Sequence, residues 1–295
     1  MGSIEKVRDY LEKSGMSANT FAKGAGYSAA ALSQWFAGKY TGDNAKLESE
    51  VLAFIERQER KTPSVVFVKT SAVRKVRDVA DVCRADGDIG LVCGGAGTGK
   101  TTACKHYAQN NHGVVYISAN DGITAKEFFE DLAKEFSLSD CGTIHRYFTA
   151  IKNALNRKNR MIIVDEADRL PFRALSLLRS LFDETGCGLV LVGTERLKAN
   201  IEGKGRDRSK YEQLYSRVGM YQKTGGSDIV EDVKSIVNSA IPNLSNNCIS
   251  AFVSASGGSL RRAQKLVRVC IRMASVNSCE IAPDMIKAAS GYVIG

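Results

Sequence analysis

Lys100 and Thr101 close the stretch Gly-Leu-Val-Cys-Gly-Gly-Ala-Gly-Thr-Gly-Lys-Thr-Thr, which runs from Gly90 to Thr102. From Gly94 to Thr101 it matches G-x-x-x-x-G-K-[ST] in full, after an apolar run and ahead of a helical pattern. This spacing suits phosphate binding. Gly94, Gly95, Gly97 and Gly99, with Ala96 and Thr98 among them, let the backbone curl so that N–H groups and a helix N-terminus face one anion. Lys100 adds a cation for the β- and γ-phosphates, the Thr101 hydroxyl suits Mg²⁺, and Thr102 continues the helix start. A second group, Asp165-Glu166, ends the apolar run Met161-Ile-Ile-Val-Asp. Asp165 suits a metal held through water, and Glu166 suits polarising a water for attack on the γ-phosphate. A solvated acidic turn would explain the pair alone. With the glycine-rich loop it points to Mg²⁺-dependent ATP hydrolysis.

Four short apolar runs must position these groups: 89–93, 114–118, 161–165 and 188–193. Each reads as a parallel strand buried on both faces, and the helical stretches between them give a βαβ pattern. The strand at 114–118 falls between the two motifs, which points to the branch of phosphate-loop proteins with a catalytic Glu and away from small-molecule kinases. Asn120 follows that strand and is a candidate to hold Glu166 inactive, although turns favour Asn in any case. Residues 17–44 read as helix, glycine-rich turn and helix, with Ser17 and Ser28 as N-caps and Leu32, Trp35 and Phe36 as a buried face. The resulting division is a helix-turn-helix domain over 1–60, a linker over 61–72, an ATPase core over 73–225 and a helical lid over 226–295. The helix-turn-helix exposes Ser28, Ser33, Gln34 and Lys39 as DNA contacts, and a helix pair used for protein contacts remains an alternative.

Charge adds a second theme. The chain carries a formal +9, and residues 196–223 hold eight basic side chains against three acidic ones. Lys198, Lys204, Arg206, Arg208 and Lys210 in that segment are candidate phosphate-backbone contacts, as are Arg146, Lys152, Arg157 and Lys158 in a second acid-free stretch. Solvated faces are the plainer explanation for either cluster alone. Up to Thr62 the balance is nine basic against eight acidic residues, so non-specific duplex affinity of that region should be weak. The eight cysteines form no Cys-x-x-Cys pair and read as buried thiols. No apolar run approaches the roughly 18–20 residues of a membrane span, and the N-terminus lacks an apolar signal region. The expected location is the cytoplasm of a bacterium or phage-infected host, with no membrane partner.

The order of these motifs resembles the AAA+ ATPases, which implies an α/β fold: a parallel sheet sandwiched by helices, with a small helical lid. In that pattern Thr194, at the tip of the strand 188–193, takes the sensor 1 position, although a Thr there is equally a plain N-cap. Arg217, in Leu-Tyr-Ser-Arg, falls where an arginine finger reaches a neighbouring subunit's γ-phosphate. Arg261, in Gly-Gly-Ser-Leu-Arg-Arg, matches sensor 2, with Arg262 as the reserve. An exposed arginine at either place serves equally as a surface ion-pair partner.

Taken with Gly38-Lys-Tyr-Thr-Gly-Asp-Asn44, Val92 to Thr101, Ile163-Val-Asp-Glu-Ala-Asp168 and Gly188 to Gly193, the chain resembles the phage Mu transposition protein B family over nearly its full length. At the strand tip it carries Thr194 where an Asn is more familiar in that family. The resemblance implies ATP-dependent assembly into a helical filament on largely non-specific double-stranded DNA. It also implies delivery of that DNA to a transposase, with hydrolysis driving disassembly. Two other readings share the motifs: a sequence-specific transcription regulator licensed by ATP, and an initiator or helicase loader.

Overall fold

Leu32 and Trp35, three residues apart on one helix, anchor the first of two units into which the chain divides, Met1–Ser64 and Val65–Gly295. The computed structural model describes residues 3–14, 16–59, 67–156, 160–203 and 208–294. In the first unit α1 (Ser3–Ser14), α2 (Ala18–Gly24), α3 (Ala29–Phe36) and α4 (Asn44–Glu59) enclose Val7, Phe21, Leu32, Trp35, Leu47 and Ile55. The Ser17 and Ser28 hydroxyls accept the Thr20 and Ala31 N–H groups at 3.2 and 3.1 Å, so both serines act as N-caps. Phe21 meets Phe54 edge-on with ring centroids 5.1 Å apart, and burying a ring of that size contributes roughly 1.5–3 kcal/mol. Ser28, Ser33, Gln34 and Lys39 are exposed, and Phe36 is half-buried.

The second unit is built on five parallel strands in the order β2-β3-β4-β1-β5. They are β1 (Ile89–Gly94), β2 (Val114–Ser118), β3 (Met161–Asp165), β4 (Gly188–Gly193) and β5 (Val218–Thr224). The three central strands are buried at every position, which explains their unbroken apolar sequences. β5 carries no unbroken apolar run to mark it in the sequence. Its residues alternate between half-buried and exposed up to a buried Thr224, as suits a sheet edge.

Side chains alternate across the sheet and seed two cores. On one face Val92, Ile163 and Val192 pack against α5 (Ser71–Asp86) and α6 (Lys100–Asn110). On the other, Leu91, Val164 and Leu191 pack against α7 (Ala125–Glu135), α8 (Ile144–Leu155), α9 (Phe172–Thr185), α10 (Glu195–Ile201) and α11 (Arg208–Tyr215). Helix α5 begins at Ser71, inside the stretch expected as linker.

The last four helices, α12 (Asp228–Ala240), α13 (Asn246–Ser256), α14 (Leu260–Asn277) and α15 (Pro283–Tyr292), enclose a separate core around Phe252, Leu266 and Ile286. Pro283 opens α15, where a missing N–H forfeits no intrahelical hydrogen bond. This lid is pinned to the start of α5. The Ser71 N–H and hydroxyl donate to the buried Asp232 carboxylate at 2.7 and 2.6 Å, and Lys75 pairs with Asp228 at 2.7 Å. Six cysteines are buried, whereas Cys141 is half-buried and Cys279 exposed. Burial pushes the Cys83 and Cys93 thiols up to about 12. Among the described residues no helix is long and apolar enough to cross a membrane.

Candidate nucleotide site

β1 delivers Gly94 to the C-terminal edge of the sheet, and α6 starts at Lys100, so the loop between them lies against open helix N–H groups. The backbone is left-handed at Gly97 and Gly99, with φ of 76° and 92°. At Gly97 a Cβ would also stand 2.4 Å from Ser259 Oγ of the lid, so glycine is required twice over. Lys100 is 8% exposed. Its Nζ donates to Gly94 O at 2.7 Å and Gly95 O at 2.8 Å, which fixes the ammonium over the loop. Burial lowers the Lys100 pKa, and Asp165 and Glu166 work against that. Lys100→Ala removes the loop's cation, and ATP affinity measured by equilibrium titration should fall at least ~10²-fold. Unchanged affinity would remove Lys100 from the site.

Asp165 ends β3 at 1% exposure. Its carboxylate accepts the Glu166 N–H at 2.9 Å and the Tyr116 hydroxyl at 3.1 Å. Burial and this carboxylate push the Tyr116 pKa up, so the phenol stays a donor. No cluster of three or more His, Cys, Asp or Glu side chains suited to a metal occurs among the described residues. One carboxylate and the half-buried Thr101 hydroxyl are a donor set that fits Mg²⁺, which keeps several waters and takes phosphate oxygens.

Glu166 is held at φ 54°, a left-handed conformation uncommon outside glycine. Its carboxylate lies 3.3 Å from Arg169 Nε, and Arg169 also reaches Asp121 at 3.2 Å. The ion partner of Glu166 is therefore Arg169, one turn along its own chain, and not the Asn120 amide that the sequence suggested.

Thr194 fills the N-cap role open to it on sequence grounds. Its hydroxyl caps α10 by accepting the Arg196 N–H at 3.3 Å, and it also lines the nucleotide cleft. The hydroxyl and N–H of Thr194 donate to Asp168 at 2.9 and 3.2 Å. Asp168 thus ties the turn after β3 to the tip of β4. Nothing in its spacing from Thr194 signals this, because the link exists only through strand adjacency.

The cleft has a volume of about 530 Å³, within the usual range for a small-molecule site. Its lid wall carries Leu260, Arg261, Gln264 and Arg268 of α14. Leu260 N–H donates to Gly97 O at 2.9 Å, joining the lid helix to the phosphate loop. Arg262 turns inward, donating to Ser290 O at 3.3 Å, so Arg261 is the member of the pair that faces the cleft. Gln264 and Arg268 were missed in the sequence, although their spacing from Arg261 places all three on one helix face.

Arg217 lies elsewhere. It precedes β5, whose first residue pairs with Ile89 and whose last pairs with Gly94. The strand separates it from its own phosphate loop by about 20 Å. It is exposed and pairs with Asp183 at 2.9 Å.

The described members of both basic clusters, on α8, α10 and α11, belong to the same helical layer, with α9 packed between α8 and α11. Arg146 and Lys210 are exposed, whereas Lys152 pairs with Glu184 at 2.9 Å. Lys198 lies 4.1 Å over the Tyr221 ring and 3.4 Å from Glu202, so part of this charge is internally compensated. Arg208 opens α11. Arg157, Lys158, Lys204 and Arg206 lie outside the described residues.

The AAA domain family matches residues 83–201. The Mu-like prophage FluMu DNA transposition protein B of Haemophilus influenzae is 30% identical over 240 residues, covering 77% of this chain and 83% of that protein. The ATP-dependent target DNA activator B of Escherichia phage Mu is 28% identical over 221 residues, 72% of this chain and 69% of the relative. Among solved structures, the RuvB Holliday junction branch migration motor of Thermotoga maritima aligns with a TM-score of 0.50 at 21% identity. That alignment covers 78% of this chain and 72% of RuvB, and supports the fold.

Proposed function

The chain belongs to the transposition protein B family of Mu-like phages and prophages, and from that premise we propose that it is an ATPase that assembles head to tail on double-stranded DNA and presents that DNA to a transposase. Its AAA+ class and ATP-binding core follow from the domain match and the fold. The relative named as an ATP-dependent target DNA activator supports an ATP-dependent action on target DNA.

The observation that carries the reading is the separation of Arg217 from its own phosphate loop along the whole length of β5. No side chain spans that gap, so the arginine acts on a γ-phosphate only if the nucleotide belongs to a neighbouring copy. Leaving Asp183 costs little, because an exposed ion pair is worth roughly 0.2–1 kcal/mol. A heterologous contact of this kind repeats into rings or helical filaments.

In this scheme Lys100 and the loop amides hold the triphosphate, and Arg261 closes on it from the lid. Thr101 and Asp165 would hold Mg²⁺, which when bound neutralises charge on the β- and γ-phosphates. Glu166 then orients the attacking water. ATP at the joint favours the polymer, and hydrolysis removes the anion that Arg217 grips. The basic layer lines up from copy to copy only in the polymer, so many weak backbone contacts add together.

Electron micrographs and footprints on random duplex, with and without ATP, test the assembly. Protection that lengthens with protein concentration and needs ATP supports it. One discrete palindromic footprint would instead support a repressor. Replacing Lys204, Arg206 and Arg208 together by Ala should weaken binding equally across sequences. The log–log salt slope should fall by up to roughly 0.9 for each phosphate left without its cation, with ATP binding intact. A loss confined to one sequence would contradict backbone contact.

A further inference from the structure

The tip of β5 touches the phosphate loop through buried hydroxyls. Thr224 is 2% exposed and Thr98 6% exposed. Their Oγ1 atoms lie 3.0 Å apart, and Thr98 Oγ1 donates onward to Gly95 O at 3.0 Å. The same Gly95 carbonyl accepts from Lys100 Nζ at 2.8 Å. Either hydroxyl can donate across this pair, and the shorter contact from Thr98 to Gly95 O favours Thr224 as the donor between the two threonines. Its alternative acceptor is Cys93 O at 3.3 Å, a longer contact.

The result is a directed chain, Thr224 to Thr98 to Gly95 O, ending on a carbonyl that also holds Lys100. In a dry interior such linked hydrogen bonds polarise one another, and an orphaned member is costly. The fit is close enough to dictate a neighbour: a Cβ on Gly94 would stand 2.2 Å from Thr224 Oγ1. The strand tip is itself anchored, since Lys75 Nζ donates to Lys223 O at 2.7 Å while pairing with Asp228 of the lid.

We propose that Thr224 is a positioning residue for the nucleotide: through Thr98 and the Gly95 carbonyl it sets where Lys100 presents its charge to the β- and γ-phosphates. The inference rests on the reading of the cleft as an ATP site. It assigns a role in that site to a residue at the end of a sheet-edge strand, outside the loop motif.

Thr224→Val keeps the side chain's shape and removes the hydroxyl. Equilibrium titration of the full chain with ATP and with ADP should give ATP binding weaker by roughly tenfold, the scale of one buried hydrogen bond. ADP should lose less, because the γ-phosphate is the group it lacks. Thr224→Ser, which restores the donor, should recover ATP affinity. Thr98→Val should reproduce the loss, and the double variant should be no worse than either single one. Equal losses for ATP and ADP with a lowered Tm would reduce Thr224 to a structural residue and overturn the proposal. Additive losses in the double variant, or wild-type affinity in Thr224→Val, would overturn it as well. Should the unaltered protein fail to bind ATP, it is the nucleotide-site reading that falls.

Discussion

Glu166→Gln should lower the turnover of ATP by about 10²–10⁴-fold while leaving nucleotide affinity near that of the unaltered protein. The substitution keeps the side chain's size and takes away the group able to accept a proton from water. Binding should be spared because the cradle consists of the loop amides and Lys100, whose Nζ is fixed by the Gly94 and Gly95 carbonyls and makes no hydrogen bond to Glu166. Asp165→Asn would be a poorer test. That carboxylate is buried against Tyr116 and belongs to the proposed metal-binding set, so binding and chemistry would fail together. On DNA the Glu166→Gln protein should persist as an ATP-bound complex after competitor duplex is added, because the step that dissolves the joints is blocked. Phosphate release and complex lifetime, measured side by side, check the two halves. Normal turnover would remove Glu166 from the chemistry. Blocked turnover with a normal lifetime would separate hydrolysis from release.

How much of this was legible in the sequence follows from where each signal resides. The phosphate loop, Asp165 and Glu166 depend on local spacing, and the strands before them are buried on both faces, so pattern and structure coincide. β5 escaped notice because an edge strand carrying Gln222 and Lys223 looks like any polar connection. Thr224 went unnoticed with it, since its partner Thr98 is distant in the chain and near only across the sheet. Asp168 and Arg169 were within reach as residues but not as roles, because strand neighbours decide what a carboxylate or guanidinium meets. Arg261 and Arg262 illustrate the limit at finer grain. Adjacent helix positions point about 100° apart, so which arginine faces the cleft is fixed by the way α14 packs, with Arg262 spent on Ser290 O. The basic segments gave the sign of the charge, but not that Lys152 and Lys198 carry acidic neighbours.

Arg217→Ala should cost about 10³–10⁵-fold in DNA-stimulated turnover, the scale of an arginine supplied in trans to a transferring phosphoryl group. Its effect on the isolated subunit should be small. The side chain is exposed, and Asp183 retains Arg179 as a partner at 2.7 Å, so Tm and monomer ATP binding should barely move. The decisive measurement mixes two inactive proteins. Glu166→Gln subunits carry a dead site and a working finger, and Arg217→Ala subunits carry the reverse. In a head-to-tail polymer with random order at equal amounts, about a quarter of joints pair a live site with a live finger, and turnover returns in that proportion. If Arg217 acted within its own subunit, mixing would restore nothing, since every subunit would still lack one of the two groups. Recovery in the mixture therefore requires the γ-phosphate to be read across a joint between copies.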